Sequence, residues 1–267
     1  QLSRLAEPDF GFITNFGKAH LEGFGGVKGV IKGKSELYDY LLGAGKHVFF
    51  NADDPIQLEK LEGYTNKTAF STSEGSHYRI EDLGADPFVT LMAEGIRIRT
   101  QLSGAYNFSN CAIAVLIGTC FGVPLEEIKE AIESYHPQNN RSQLIEKNGL
   151  RIILDAYNAN PSSMELALKH LGNTDAQTKV AILGDMFELG DASRKEHQAM
   201  ADLAASLGIE SLYLVGKAFS GTRTQGRTFE TFEELAHRLK AEPIEGPATI
   251  LIKASRGMAL ERVLDYL

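Results

Sequence analysis

The chain of 267 residues carries 27 Lys and Arg against 35 Asp and Glu, a formal net charge of −8. Hydrophobic residues make up 43%, enough to build a packed core, so wholesale disorder is excluded and the length fits one large domain or two ordinary ones. The acidic balance argues against a general nucleic-acid binder, which needs a basic surface, but leaves room for one phosphate site made from backbone N–H groups and local cations.

The first part of the chain, residues 1–137, mixes element types. FGFITNF (Phe10–Phe16) is apolar and β-prone and predicts a strand. KGVIKGKSELYDYLLGAG predicts a helix closed by glycines. KHVFFNADDP reads as a short buried strand ending in a polar turn. Alternating segments between Phe70 and Thr100 (YRIEDL, FVTLMA, IRIRTQL) predict a run of strands. SNCAIAVLIGTCFG then gives a mostly apolar helix, and PLEEIKEAIESYH a second helix with Pro124 near its start. HPQNNR has no apolar periodicity and reads as a linker.

Residues 138–267 alternate between strand and helix. LRIILD, KVAILGD, SLYLVG and ATILIK predict strands. PSSMELALKHLG, SRKEHQAMADLAASLG, TFEELAHRLK and GMALERVLDYL predict the helices that follow them. The alternation implies a parallel sheet with helices on both faces, and ligands in such folds sit beyond the carboxyl ends of the strands. Those ends carry Asp155, Gly184-Asp185, Gly216 and Lys253-Ala254-Ser255-Arg256. The fold class is therefore α/β throughout. No apolar run reaches the ~18 residues of a membrane span, and QLSRLAEPDFGF lacks the layout of a signal peptide. Cys111 and Cys120, nine positions apart in a predicted helix, fall on opposite faces, which disfavours a disulfide and fits a reducing, cytoplasmic setting.

Several clusters could carry chemistry. GVIKGKS resembles a phosphate loop, but Gly29 and Gly33 enclose three residues where the pattern needs four, and the segment reads as continuous helix. His20 and Glu22 lie together in the turn AHLEGFG; one His and one Glu are common at loop surfaces, so spacing alone leaves His20 a solvated side chain. Lys32 and Lys34 are, by themselves, a solvated helix face. Asn107 and Asn110, three apart near a helix start, share a face that could read a purine edge or simply cap the helix. Asp155 ends a strand where it could accept hydrogen bonds from a ribose diol. Asn158 and Asn160 follow in the loop, with Asn160 also placed to cap the next helix. Arg141, in the linker, could meet a phosphate or be exposed. Lys253 and Arg256 flank Ser255 at a predicted helix N-terminus, an arrangement that could bind an anion or be a solvated turn.

Taken together, ITNFGKAHLEGFGGVKGVIKGKSELY, NADDP, LSGAYNFSN, NNRSQ, DAYNANPSSM, LGDMFELG and IKASRGMALERV resemble the Mur ligase superfamily, in family order and over nearly the whole chain. DAYNANPSSM and LGDMFELG are the specific strings; they point to the branch that adds D-alanyl-D-alanine to a UDP-N-acetylmuramoyl peptide in peptidoglycan precursor synthesis. The resemblance implies a partial central ATPase-type α/β domain followed by a Rossmann-like C-terminal α/β domain. It implies an ATP-dependent amide ligase that works through an acyl phosphate, with ATP and Mg²⁺ as cofactors, small molecules as partners, and neither nucleic acid nor membrane. His20 and Lys34 would be its catalytic residues and hold the metal, Lys34 in carbamylated form; Glu22 has a weaker claim. Asn110 with Asn107 would face adenine, Arg141 the phosphates and Asp155 the ribose. Asn158, Asn160, Lys253, Ser255 and Arg256 would lie at the cleft beside the acceptor dipeptide.

Two departures stand out. Tyr106 replaces the usual His of the GAYN string, and Ala254 the usual Gly of the string around Ser255. The family's phosphate loop and UDP-binding N-terminal domain are expected upstream of Gln1, so this polypeptide alone is expected not to turn over. Alternatives are a folylpolyglutamate or cyanophycin-type ligase of the same superfamily, and a non-catalytic Rossmann-like ligand-binding module.

Overall fold

A computed structural model describes residues 2–75 and 77–267, and its contacts divide the chain into two units, each built on one six-stranded sheet. The first unit comprises the chain up to Gly17 together with Val27–Tyr135. Its strands are β1 (Phe10–Gly11), β2 (His47–Asn51), β3 (Lys67–Ser71), β4 (Tyr78–Ala85), β5 (Phe88–Ala93) and β6 (Ile96–Ser103), in that spatial order. The pairs from β1 to β4 are parallel, and β4, β5 and β6 form an antiparallel meander. Side chains alternate along each strand. Val48 and Phe50 pack with Tyr38 and Leu41 of helix Val27–Gly43, while Phe49 and Phe70 pack with Ala112, Val115 and Leu116 of helix Phe108–Cys120.

Gly33 lies inside the continuous helix Val27–Gly43, which is not phosphate-loop geometry. The strand expected over Phe10–Phe16 is confined to Phe10–Gly11. Ile13 and Phe16 are buried, but the Ile13 carbonyl accepts from the Gln57 side chain at 3.1 Å, and Asn15 turns the chain by accepting the Gly17 N–H at 3.0 Å. The apolarity of this segment serves the core and not the ladder. Cys111 is buried, Cys120 is exposed, and both thiols are free.

The second unit comprises Lys18–Gly26 and His136–Leu267. The division at Pro137 read from the sequence leaves Lys18–Gly26 with the first half. The structure ties this segment to the second unit through Glu22 N–H donating to the Glu188 carbonyl at 3.0 Å and Lys18 N–H donating to Ser162 Oγ at 2.8 Å. The strands are β7 (Gln143–Lys147), β8 (Leu150–Asp155), β9 (Lys179–Gly184), β10 (Ser211–Val215), β11 (Arg227–Phe229) and β12 (Ala248–Lys253). The sheet order is β11-β10-β9-β12-β8-β7. All neighbours are parallel except the β7–β8 hairpin.

Ile152, Leu154, Ile250 and Ile252 face Leu235 and Leu239 of helix Phe232–Ala241. Ile153, Ala181, Leu183 and Leu251, on the alternate positions, are also buried, and helix Pro161–Asn173 packs on β9 and β12. Both sheet faces are thus covered, as near-continuous apolar strands require.

Three features differ from the alternating pattern read in the sequence. The sheet gains β7 as an antiparallel edge, because Asn148 and Gly149 adopt φ of 53° and 76° and close a two-residue hairpin between Lys147 and Leu150. It also gains the short β11. The helix expected over GMALERVLDYL is instead a pair of 3₁₀ segments, Arg256–Met258 and Leu260–Tyr266, broken at Ala259 with φ 47°. Leu260, Val263, Leu264, Tyr266 and Leu267 all pack on the same core. Among the described residues no helix is long and apolar enough to cross a membrane.

Candidate functional site

At the carboxyl ends of the second unit's parallel strands, β8 ends at Asp155, β9 at Gly184, β10 at Val215 and β12 at Lys253. The loops that follow are fixed by named contacts. After β8, Asn160 caps helix Pro161–Asn173: its Oδ1 accepts the Ser163 N–H at 3.0 Å while Ser163 Oγ accepts the Asn160 N–H at 3.1 Å. Of the two roles open to Asn160 in the sequence, capping is the one these contacts display. Asn158 turns its side-chain oxygen to the Ala159 N–H at 2.9 Å.

The loop after β9 is held at nearly every residue. The Asp185 carboxylate accepts the N–H groups of Ala218 and Phe219, each at 3.0 Å. It lies so close to Gly216, whose φ is 118°, that a Cβ there would meet Asp185 Cγ at 2.3 Å. The Met186 N–H donates to Nε2 of the fully buried His197 at 3.0 Å, and His197 Nδ1 lies 2.7 Å from the Ser193 carbonyl. These partners assign the proton to Nδ1 and leave the ring neutral. The Phe187 N–H donates to Ser255 Oγ at 2.8 Å, and Ser255 N–H returns to the Asp185 carbonyl at 3.2 Å. Glu188 follows with φ 60°, its side chain hydrogen-bonded to His20 Nδ1. His20 itself has φ 53°. Left-handed backbone at two non-glycine residues whose side chains meet is strain of the kind held at functional sites.

The sequence expectation that Lys253 and Arg256 converge on an anion does not survive the geometry. Lys253 is 1% exposed, and its ammonium lies 2.6 Å from Asp155 Oδ2 and 3.1 Å from the Asn158 carbonyl. It is an internal cation that ties β8 to β12 and anchors the Asn158 loop. Arg256 is exposed and pairs with Glu261 at 3.1 Å. Ser255 is buried and supports Phe187 instead of facing solvent. Asp155 has both oxygens engaged, the second accepting the Ser142 N–H at 3.2 Å. The Arg141 guanidinium lies 3.7 Å over the Tyr157 ring, a cation–π contact that fixes its direction.

These loops bound a concavity of about 280 Å³ within the second unit. Its walls are Ala19 and His20, Tyr157–Asn160, Phe187 and Glu188, and Ser255–Gly257. Glu188 is the one carboxylate among these lining residues and Arg256 the one guanidinium. Phe187 and Glu188 were not among the candidates read from sequence, although a carboxylate and an aromatic directly after a strand-ending Gly-Asp are a readable signal.

In the first unit, Asn107 is buried. Its Nδ2 donates to the Ser103 carbonyl at 2.8 Å and its Oδ1 accepts from Asn110 at 3.2 Å. Asn107 therefore orients Asn110, which is exposed. The Tyr106 ring lies over Gly104, where a Cβ would come within 2.4 Å of it. Lys32 is exposed, but Lys34 is half-buried, and its ammonium donates to the Asn15 carbonyl at 2.7 Å and to Asn15 Oδ1 at 3.2 Å. Burial pulls the Lys34 pKa below its ordinary value. Glu22 is exposed beside Gly190.

Among the described residues no group of three His, Cys, Asp or Glu side chains gathers to hold an ion. The Lys34 ammonium offers no lone pair, and His20 has Nδ1 committed to Glu188. A single imidazole nitrogen does not fit Mg²⁺, which prefers oxygen donors; a carbamate on Lys34 would supply them.

Comparison with known proteins identifies the two halves of the chain. The Mur ligase middle domain matches residues 1–118, and the Mur ligase glutamate ligase domain matches residues 140–265. A UDP-N-acetylmuramoyl-tripeptide–D-alanyl-D-alanine ligase of Bacillus subtilis is 29% identical over 282 residues, covering 100% of this chain and 60% of its own length. The crystal structure of MurF from Acinetobacter baumannii superposes with a TM-score of 0.81 at 29% identity, covering 98% of this chain and 60% of that one. MurF from Thermotoga maritima, solved in complex with ADP, shares the fold at a TM-score of 0.84 and 22% identity, covering 99% of this chain and 62% of its own. The chain thus spans about 60% of the length of the curated relative it matches. With two domain descriptions matched in succession and a strand-end site built as above, the chain belongs to the Mur ligase family, carrying its middle domain and its glutamate ligase domain.

Proposed function

We propose that the chain is part of an ATP-dependent amide ligase that joins D-alanyl-D-alanine to a UDP-N-acetylmuramoyl peptide, in cytoplasmic synthesis of peptidoglycan precursors. The observation that carries this reading is the strand-end concavity, with one carboxylate and one guanidinium on walls of amide, small apolar and aromatic groups. A short zwitterionic dipeptide with methyl side chains has the matching chemistry. Glu188 would receive its ammonium and Arg256 its carboxylate, with Asn158 and Asn160 along its peptide group. Lys253 and Ser255 act one layer back, holding the Asn158 and Phe187 loops.

In the reaction, the peptide's terminal carboxylate attacks the γ-phosphoryl of ATP to give an acyl phosphate and ADP. The acceptor's neutral amine then adds to the acyl carbon, loses its proton, and phosphate departs. Chemistry of this kind depends on positioning and charge neutralisation. Adenine nucleotide binding is supported by the ADP complex of a relative of the same fold, and ATP would be taken as its Mg²⁺ complex. Asn110, oriented by Asn107, is assigned to adenine, Asp155 to the ribose and Arg141 to the phosphates. His20 and Lys34 are assigned to phosphoryl transfer, Lys34 through carbamylation of an amine whose pKa burial lowers.

Titration calorimetry with D-alanyl-D-alanine, L-glutamate and L-aspartate tests the acceptor. Heat of binding from the dipeptide alone supports the proposal. Binding of glutamate in its place favours a folylpolyglutamate-type ligase, because a glutamate acceptor brings a second carboxylate.

A further inference from the structure

Phe187 is a large apolar side chain left 47% exposed, while Met186 before it and Leu189 two positions on are buried. Its backbone is not free to withdraw it. The Met186 N–H is held by His197, the Phe187 N–H by Ser255, and the Glu188 carbonyl by the Glu22 N–H. The ring packs so closely over Gly257 that a Cβ there would stand 2.8 Å from Cε2. The other apolar groups lining the concavity include Ala19 and Ala159, both small. At about 280 Å³ the space lies just below the ~300–1,000 Å³ of ordinary small-molecule sites. Two aromatic rings line it, Tyr157, which lies under the Arg141 guanidinium, and Phe187, on the loop whose backbone is fixed as above; Phe187 therefore bounds the width available to side chains on whatever the charged groups hold.

We infer that Phe187 is the specificity-determining residue for the acceptor, limiting its side chains to methyl size. The inference rests on the dipeptide reading above and goes beyond it by naming what rejects larger acceptors. With the loop backbone fixed by three contacts and the ring packed over Gly257, an isobutyl group must displace the ring, so a bulkier dipeptide meets it before its ammonium and carboxylate reach Glu188 and Arg256. Discrimination in an apolar pocket runs at about 10–200-fold per methylene, so the ring's removal has a measurable signature.

The test is calorimetry on this chain with D-alanyl-D-alanine, D-alanyl-D-leucine and D-leucyl-D-alanine, using the unsubstituted protein, Phe187→Leu and Phe187→Ala. The half-exposed ring is expected to be replaceable with a modest fall in the thermal midpoint and retention of the fold, both measured alongside. The unsubstituted chain is expected to prefer D-alanyl-D-alanine by at least about 10-fold. Phe187→Ala is expected to reduce that preference about 10-fold or more, with Phe187→Leu between them. If the unsubstituted chain binds D-alanyl-D-alanine and the preference is the same in Phe187→Ala, the selectivity inference is overturned and the dipeptide reading stands. If the unsubstituted chain binds none of the three, both fall.

Discussion

Replacing Lys253 with Met separates the two readings of this residue, ligand cation or internal tie. Met keeps most of the volume and the aliphatic stem, and deletes the charge. In the structure the Lys253 side chain is 2% exposed and that of Asp155 14%, with 2.6 Å between Nζ and Oδ2. Removing one partner of a buried pair costs about 3–5 kcal/mol, because the other charge stays behind unpaired. Asp155 keeps the Ser142 N–H and some access to water, which places Lys253→Met at the lower end, about 3 kcal/mol. Since the chain has no tryptophan, amide hydrogen exchange of β8 and β12 is the suitable assay. A loss of about 3 kcal/mol speeds exchange through global opening roughly 150-fold. The double variant Asp155→Leu/Lys253→Met is expected to recover most of the loss, since an apolar pair of similar volume is often neutral or better. A loss below about 1 kcal/mol for Lys253→Met, or a double variant no better than either single one, would refute the internal-tie account.

Further outcomes follow from other contacts. Asn160→Ala removes the capping box of helix Pro161–Asn173 and is expected to lower stability by about 1 kcal/mol in thermal unfolding. Gly216→Ala must force a non-glycine residue to φ 118° against the Asp185 carboxylate; the backbone strain alone is about 1–3 kcal/mol, and the amides of Ala218 and Phe219 should lose exchange protection. Burial pushes the Cys111 thiol up to about 11 and also raises that of the more exposed Cys120. A thiol reagent at pH 8 should therefore modify Cys120 alone in the native chain and both cysteines in denaturant. For Lys34, the folded-state pKa lies below the ordinary value of 10.5, so burying the charged amine opposes folding below that pKa. The penalty fades as pH rises through the folded value toward 10.5. Lys34→Met is accordingly expected to be more stable than the parent at pH 7, with the margin shrinking in alkali, as followed by urea unfolding.

The parts of the fold legible in the sequence were those with an apolar run to read. LRIILD, KVAILG, SLYLV and ATILIK are strands buried on both faces, and their carboxyl ends located the loops of the site. Arg227–Phe229 has no such run, and its pairing with β10 comes only from tertiary contact. The Asn148-Gly149 pair is a hairpin signal in its own right; after the polar linker it marks the end of a strand, β7, that composition hides. The last segment has apolar residues spaced by three as well as by four, a pattern that does not by itself decide for the tighter turn.

Within the site, residue types were legible and burial was not. Lys253 and Arg256 look alike in KASRGM, but Asp155, 98 positions earlier, draws one inward. The partner of His20 lies 168 positions away, beyond anything local spacing can express. Asn107 and Asn110 were read as one face, and the structure splits their work between a buried orienting amide and an exposed one.

The account depends most on the dipeptide entering the strand-end loops of the second unit. Titration of ¹⁵N-labelled chain with D-alanyl-D-alanine reads this residue by residue. The predicted result is saturable shifts of the amides at Asn158–Asn160, Phe187–Glu188 and Ser255–Gly257, with those of Asn107–Asn110 unmoved. Saturable shifts centred anywhere else, or none at these three loops, would contradict it.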